Sequence, residues 1–267
     1  METIVMKKLL LLILALTITF TACNNDGIPS KGELQMSEQT QRIINFLNCE
    51  YTLLKSTERT PNALYNMWKD LYEQGQSEGF YPLFILTRDG RDFAEQLEYA
   101  NNHFGTSQDI LKTADTLDVF DVFKKYYKDW YDDFATEEGF VSTVNNDNVE
   151  VAFRGFGGTD ELFVAKIPVD NPWELAAYIP MGGWNECPTP AEQVVVFKHW
   201  YENHGAIPVF VTYDTWTLFV SKPITTDEEA LVVAKEQLAF CSDLIEPGLG
   251  YLASSIKDSS GWGFWWD

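Results

Sequence analysis

Apolar residues recur along this chain with two periods, one near 3.6 and one near 2. Across residues 39–54, Ile43, Ile44, Phe46, Leu47, Tyr51 and Leu54 fall mostly at steps of three and four, which predicts an amphipathic helix there. Thr60-Pro61 opens a second helix, because threonine caps free N–H groups and proline suits the first helical position. Leu64, Met67, Trp68, Leu71 and Tyr72 line its inner face, and it should stop between Gly75 and Gly79. The unbroken apolar run "FYPLFILT" (80–87) then reads as a buried strand, followed by a helix with Phe93, Leu97, Ala100 and Phe104 on one side. The most regular pattern lies in residues 115–135. There Phe120, Phe123, Tyr127, Trp130 and Phe134 form a helical stripe expected to face the core, with Asp121, Lys125, Asp129, Asp132 and Asp133 on a solvated back. Residues 140–153 read as a hairpin turning on asparagine and aspartate, and glycines 155, 157 and 158 as a turn before the strand "ELFVAKIPV".

The second half repeats some of this grammar. Thr189-Pro190-Ala191-Glu192 is a capping box, Val194, Phe197, Trp200 and Tyr201 give its helix an apolar face, and Gly205 stops it before the strand "AIPVFVTY". Both halves run cap, helix, glycine stop, two residues, proline, strand, which fits either an old duplication or generic helix-to-strand punctuation. "PVFVTYDTWTLFVS" is a hairpin turning at Asp214-Thr215, and the stretch from Thr226 to Glu229 is a capping box opening a helix with Ala230, Leu231, Ala234 and Leu238 inside. The chain closes on "GWGFWWD". In a strand, Trp262, Phe264 and Trp266 share one side, and Gly263, Trp265 and Asp267 the other. Large apolar groups on both sides predict a strand inside the sheet, covered on both faces; the alternative is an exposed aromatic plate for ligand stacking. Strands interleaved with helices predict an α/β (mixed α+β) fold in which a mixed β-sheet is flanked by helices.

The amino-terminal pattern differs from all of this. Lys7 and Lys8 precede an apolar run at residues 9–20 that is too short to span a bilayer, and Thr21-Ala22-Cys23 resembles the lipobox of bacterial lipoproteins. The expected organisation is a signal peptide at 1–22, a polar tether at 23–37, a helix-strand half with an inserted aromatic helix at 38–160, and a carboxyl-terminal domain at 161–267. Lipidation at Cys23 would attach the protein to a membrane of the bacterial cell envelope; an ordinary secretory signal is the alternative. Removing residues 1–22 takes away one acid and two lysines and carries the formal charge from −21 to −22. So acidic a body repels nucleic acid and anionic headgroups and leaves a protein or a neutral or cationic ligand as partner. With Cys23 lipidated, Cys49, Cys187 and Cys241 remain, so at most one internal disulfide can form.

Four successive stretches, "NPWELAAYIPMGGWNECPTPAEQ", "HWYENHGAIPVFVTYD", "AKEQLAFCSDLIEPGLG" and "WGFWWD", resemble motifs of the bacterial family called domain of unknown function 4253. The resemblance runs from about residue 161 to the end, and the unit at 61–87 is similar to that family's front half. It implies no established activity.

Chemistry concentrates in "PMGGWNECPTPAE" (180–192), where two glycines permit close backbone turns and the loop enters a capped helix start. Gly182, Gly183, Trp184, Asn185, Glu186 and Cys187 are the expected ligand-binding residues. A thiol at Cys187, just before that helix, has the setting of a reactive cysteine, with His199 or His204 as its base. Against this stand a packed thiol, or a disulfide to Cys241, and His204 interacting with a helix carboxyl end. A zinc site from Cys187, His199, His204 and Cys241 is disfavoured, since histidines five apart on a helix diverge and no paired-cysteine knuckle exists. The Asn/Asp turn lacks the glycine of a calcium loop, so neither a metal nor another cofactor is expected. Glu186, Asp214 and Asp243 are acids in or beside the motifs. The leading expectation is a lipid-anchored, noncatalytic binding module, the alternative a hydrolase using Cys187, and the third possibility a purely structural envelope protein.

Overall fold

The computed structural model describes residues 36–88, 90–128, 152–154, 160–245 and 248–267. The segments expected as signal peptide and, for the most part, tether, Trp130 and Phe134 of the expected stripe, most of the expected hairpin and glycines 155, 157 and 158 lie outside the described residues. In chain order the elements are α1 (Glu38–Leu47), β1 (Tyr51–Leu53), α2 (Pro61–Glu78), β2 (Tyr81–Thr87), α3 (Phe93–Phe104), α4 (Ser107–Ala114), α5 (Val119–Tyr126) and β3 (Glu161–Ile167). They continue with α6 (Leu175–Tyr178), α7 (Pro190–His204), β4 (Ala206–Val211), β5 (Thr215–Val220), α8 (Asp227–Phe240), α9 (Leu249–Ile256) and β6 (Gly261–Trp265).

The strands form one open mixed sheet in the order β1-β3-β2-β4-β5-β6. Its central pair, β2 and β4, is parallel, with Phe84 opposite Phe210 and Ile85 opposite Val211; the other pairs are antiparallel. The unbroken apolar run of β2 follows from this position, because both its faces are covered. Leu83 and Ile85 enter the larger core, while Phe84 and Leu86 enter a smaller one on the opposite face. Leu64 and Trp68 of α2 cover the smaller core, and the inner residues of α1, α3 to α5 and α6 to α9 build the larger. The mixed α/β class read from the element pattern is therefore the observed one. No helix among the described residues is long and apolar enough to cross a membrane.

Three local expectations need correcting. The first helix stops at Asn48, whose left-handed backbone (φ 47°, ψ 46°) ends it before Tyr51, so Tyr51 and Leu53 belong to a strand. Asparagine tolerates that conformation almost as glycine does, which the apolar spacing does not reveal. The stripe is divided as well. α5 ends at Tyr127, which turns extended (φ −66°, ψ 131°), and while Phe123 is buried, Phe120 is 65% exposed.

The third correction concerns the carboxyl end. β6 pairs with β5 and is the outermost strand of the sheet among the described residues, not an interior one. Trp262, Phe264 and Trp266 are buried, Phe264 stacking on Trp200 at 5.1 Å between ring centres, whereas Trp265 is 48% exposed on the outer face. One face is core and the other is open. Burying three large aromatics contributes roughly 2–3 kcal/mol each, enough to hold a chain terminus in place.

Candidate functional site

The loop at 181–188 is fixed by one residue of the following helix. Gln193, fully buried in the first turns of α7, donates from Nε2 to the Met181 carbonyl (2.7 Å) and the Pro188 carbonyl (2.8 Å). Its Oε1 accepts from Trp216 Nε1 (2.8 Å), so a single side chain ties both ends of the loop to β5. Within the loop the Gly183 N–H donates to the Cys187 carbonyl (2.9 Å) and the Cys187 N–H to the Trp184 carbonyl (2.7 Å). Gly182 is required here: its φ is 102°, and a Cβ would fall 2.1 Å from the Pro188 carbonyl oxygen.

The helix that follows is anchored at its own start. The expected capping box is present, Thr189 Oγ1 accepting from the Glu192 N–H and Glu192 Oε2 accepting from the Thr189 N–H (2.9 Å). Lys125 Nζ (2.6 Å) and the Tyr126 hydroxyl (2.9 Å) also donate to Glu192, joining α5 to α7. Lys125 thus has a structural partner where a purely solvated face was expected.

Cys187 is 2% exposed, and burial first, then the neighbouring Cys241 and Glu192, pushes its thiol well above the usual value. It is a protonated, packed thiol, the opposite of an activated one. Cys49, Cys187 and Cys241 are all free, with Cys241 Sγ donating to the Trp265 carbonyl (3.1 Å). His199 Nε2 sits 3.1 Å from Glu236 Oε1 with its ring against Phe120 and Phe123. His204 is buried against Trp262, and burial lowers its pKa although Glu229 and Glu236 oppose the shift. Neither histidine bonds to Cys187, so the nucleophile and base are not assembled. No cluster of His, Cys, Asp or Glu among the described residues is placed to hold a metal ion. Thr226 caps α8, while the Glu229 carboxylate expected to complete that box stands 3.9 Å from His204 Nδ1.

The outer side of the loop faces the carboxyl ends of the parallel strands. Trp184 packs on Tyr213 (5.9 Å between ring centres), Asn185 Nδ2 donates to the Asp267 carbonyl, and Glu186 pairs with Lys128 (3.2 Å). Just beyond β2 and β4 opens a cleft of about 340 Å³ lined chiefly by Gln39, Arg88, Arg91, Tyr213, Asp214 and Trp265. Crevices outside the carboxyl ends of parallel strands are where open α/β sheets offer loops and unpaired backbone to ligands. Residues 182–187 do not line this cleft; Trp184 touches it only through Tyr213, on which it packs.

Each lining group has a defined setting. The Arg91 guanidinium lies over the Tyr213 ring, 5.5 Å from its centre, and Arg88 Nε is 3.6 Å from Asp160. Asp214 Oδ1 accepts from the hydroxyls of Thr212 (2.9 Å) and Thr215 (3.0 Å), holding the hairpin turn. Gln39 Oε1 accepts from the Phe93 N–H (3.0 Å), tying α1 to the start of α3. Of these residues Asp214 and Trp265 drew notice in the sequence, the latter in the aromatic-plate alternative. Arg88 and Arg91 carried a signal that was passed over: two arginines directly after a buried strand in a chain with 40 acids and 19 bases. Asp243 accepts from the Asp267 N–H (3.1 Å) and fastens the terminus.

Residues 163–267 match the model of a family described as Domain of unknown function (DUF4253). The matched span holds Tyr213, Asp214, Trp265 and the bracing loop, and leaves out Gln39, Arg88 and Arg91. No curated protein and no solved structure matches the chain.

Proposed function

We propose that this chain is a lipid-anchored, noncatalytic binding protein of the bacterial cell envelope, taking a small ligand in the cleft beyond β2 and β4. The observation that carries the reading is the convergence there of two guanidinium groups, a buried acid and two aromatic faces in about 340 Å³, within the size range of small-molecule sites. The loop at 181–188 acts as a rigid brace for Tyr213. Anchoring is supported by the dilysine, the short apolar run and Cys23 in lipobox context. Hydrolysis through Cys187 is disfavoured by the buried, protonated thiol and the distant partners of both histidines.

Thermal unfolding of the full chain with and without a small-molecule extract of a bacterium that makes it tests the reading. Saturating ligand adds about 2.7 kcal/mol at a hundredfold excess over Kd, which raises the melting temperature by several degrees. The rise should vanish in Tyr213→Leu. No rise, or an equal rise in that variant, contradicts the binding site; failure of labelled palmitate to enter the chain at Cys23 contradicts the anchor.

A further inference from the structure

The ligand chemistry can be taken further, on the footing of the binding reading above. We propose that the cleft selects a small monoanion with a flat apolar portion, such as an aromatic carboxylate. Its carboxylate would lie between Arg88 and Arg91, and its ring against Tyr213 and Trp265.

The overall charge argues for a neutral or cationic ligand, yet among the residues lining the cleft two cations, Arg88 and Arg91, stand against one acid, Asp214. Screening confines charge effects to about 8 Å at physiological salt, so the two guanidinium groups lining the cleft count for more there than distant carboxylates do. Arg42 of α1, by contrast, is neutralised by Asp92 (2.9 Å) and Glu98 (3.0 Å). Arg88 has one partner at 3.6 Å, and Arg91 forms no ion pair with any described residue. Arg91 Cζ lies over the Tyr213 ring, 5.5 Å from its centre, and a planar guanidinium held beside the cleft suits a carboxylate, which it can bind through two N–H groups.

The other walls narrow the class. Asp214 adds a negative charge to the same cleft, where it is already held by two hydroxyls, and this disfavours a dianion such as phosphate. A polyanion is excluded by volume and by the charge of the whole body. Trp265 is half exposed on a strand whose other aromatics are buried, so a flat ligand covers the one indole of β6 left to water.

The test is calorimetric titration of the full chain with benzoate, its neutral isostere benzamide, and inorganic phosphate, repeated on Arg91→Gln. Benzoate should bind at least tenfold more tightly than benzamide or phosphate, and Arg91→Gln should lose about tenfold in benzoate affinity while keeping its melting temperature and its weak affinity for benzamide. Benzamide binding as tightly as benzoate would overturn the anion assignment and leave the binding reading intact. Phosphate binding as tightly would overturn the role of the aromatic faces. Benzoate affinity unchanged in Arg91→Gln, or no benzoate binding at all, would overturn the proposal, while the binding reading stands or falls by its own melting experiment.

Discussion

The two helix–glycine–strand units of this protein share their punctuation and differ in what surrounds it. α2 buries three of its eighteen residues, Leu64, Trp68 and Gly75, whereas α7 buries nine of fifteen. Both start with a threonine cap and proline, and both end in a left-handed glycine, Gly79 (φ 78°) and Gly205 (φ 60°). Their strands, β2 and β4, then lie side by side and parallel, with the helices on opposite faces. Local signals therefore decide where a helix stops and a strand begins, while the number of neighbours decides which helix becomes core. α7 lies between the sheet and helices α4, α5 and α6, and α2 covers a single small core. The candidate site arises where the two strands end together, and each unit supplies a different half of it: arginines after β2, aromatic and acidic groups after β4.

The glycine stops give the largest expected contrast. A Cβ at Gly79 meets nothing within 4 Å, so Gly79→Ala should cost only the left-handed backbone penalty, about 1 kcal/mol. At Gly205 a Cβ would fall 2.1 Å from Ser221 Oγ, which also donates to the Gly205 carbonyl (3.2 Å). Gly205→Ala should therefore cost roughly 2–3 kcal/mol in urea unfolding, and Gly205→Ala/Ser221→Ala should recover most of the difference. Equal costs at the two glycines would break the comparison.

The helix starts give a smaller, pH-dependent contrast. Burial alone would raise the Glu192 carboxyl, but bonds from Lys125, the Thr189 backbone and Tyr126 outweigh it and hold the pKa below the usual 4.5. A carboxylate depressed in the folded state stabilises fully above its unfolded pKa, and that contribution is lost as pH falls through the folded value. Glu192→Gln should thus cost about 1 kcal/mol near neutrality, with the gap to the parent closing as pH drops below 4.5. Thr60→Ala, at the exposed start of α2, should cost roughly 0.5–1 kcal/mol with no such dependence. A Glu192→Gln gap that stays constant to pH 3 would contradict the assigned network.

Much of the fold was legible because its strands are runs or alternations and its helices carry caps. β2, β4 and the β4–β5 hairpin fall where apolar spacing puts them, and Thr189 with Glu192 forms the expected box. What escaped was non-local. Gln193 looks like a solvent-facing helix residue by type, and only the approach of Met181, Pro188 and Trp216 makes it the tie of the loop. The run "GWGFWW" suggested two covered faces, but Gly263 offers no side chain to bury and Trp265 turns outward, so the strand sits at an edge. The cleft joins Arg88 and Arg91 to Tyr213 and Trp265 across more than a hundred residues of chain, a distance no spacing rule spans.

A second groove, about 420 Å³ and lined by Tyr65, Trp68, Tyr72, Tyr201 and Phe219 among others, lies on the smaller-core face and supplies the natural control. The most direct test of the account is amide hydrogen exchange of the full chain with and without its small-molecule extract. Exchange should slow together around Arg91 and around Tyr213, with the amides near Tyr65 and Phe219 unchanged. Slowing confined to the Tyr65 and Phe219 groove, or absent everywhere, would contradict the claim that the ends of β2 and β4 form the binding site.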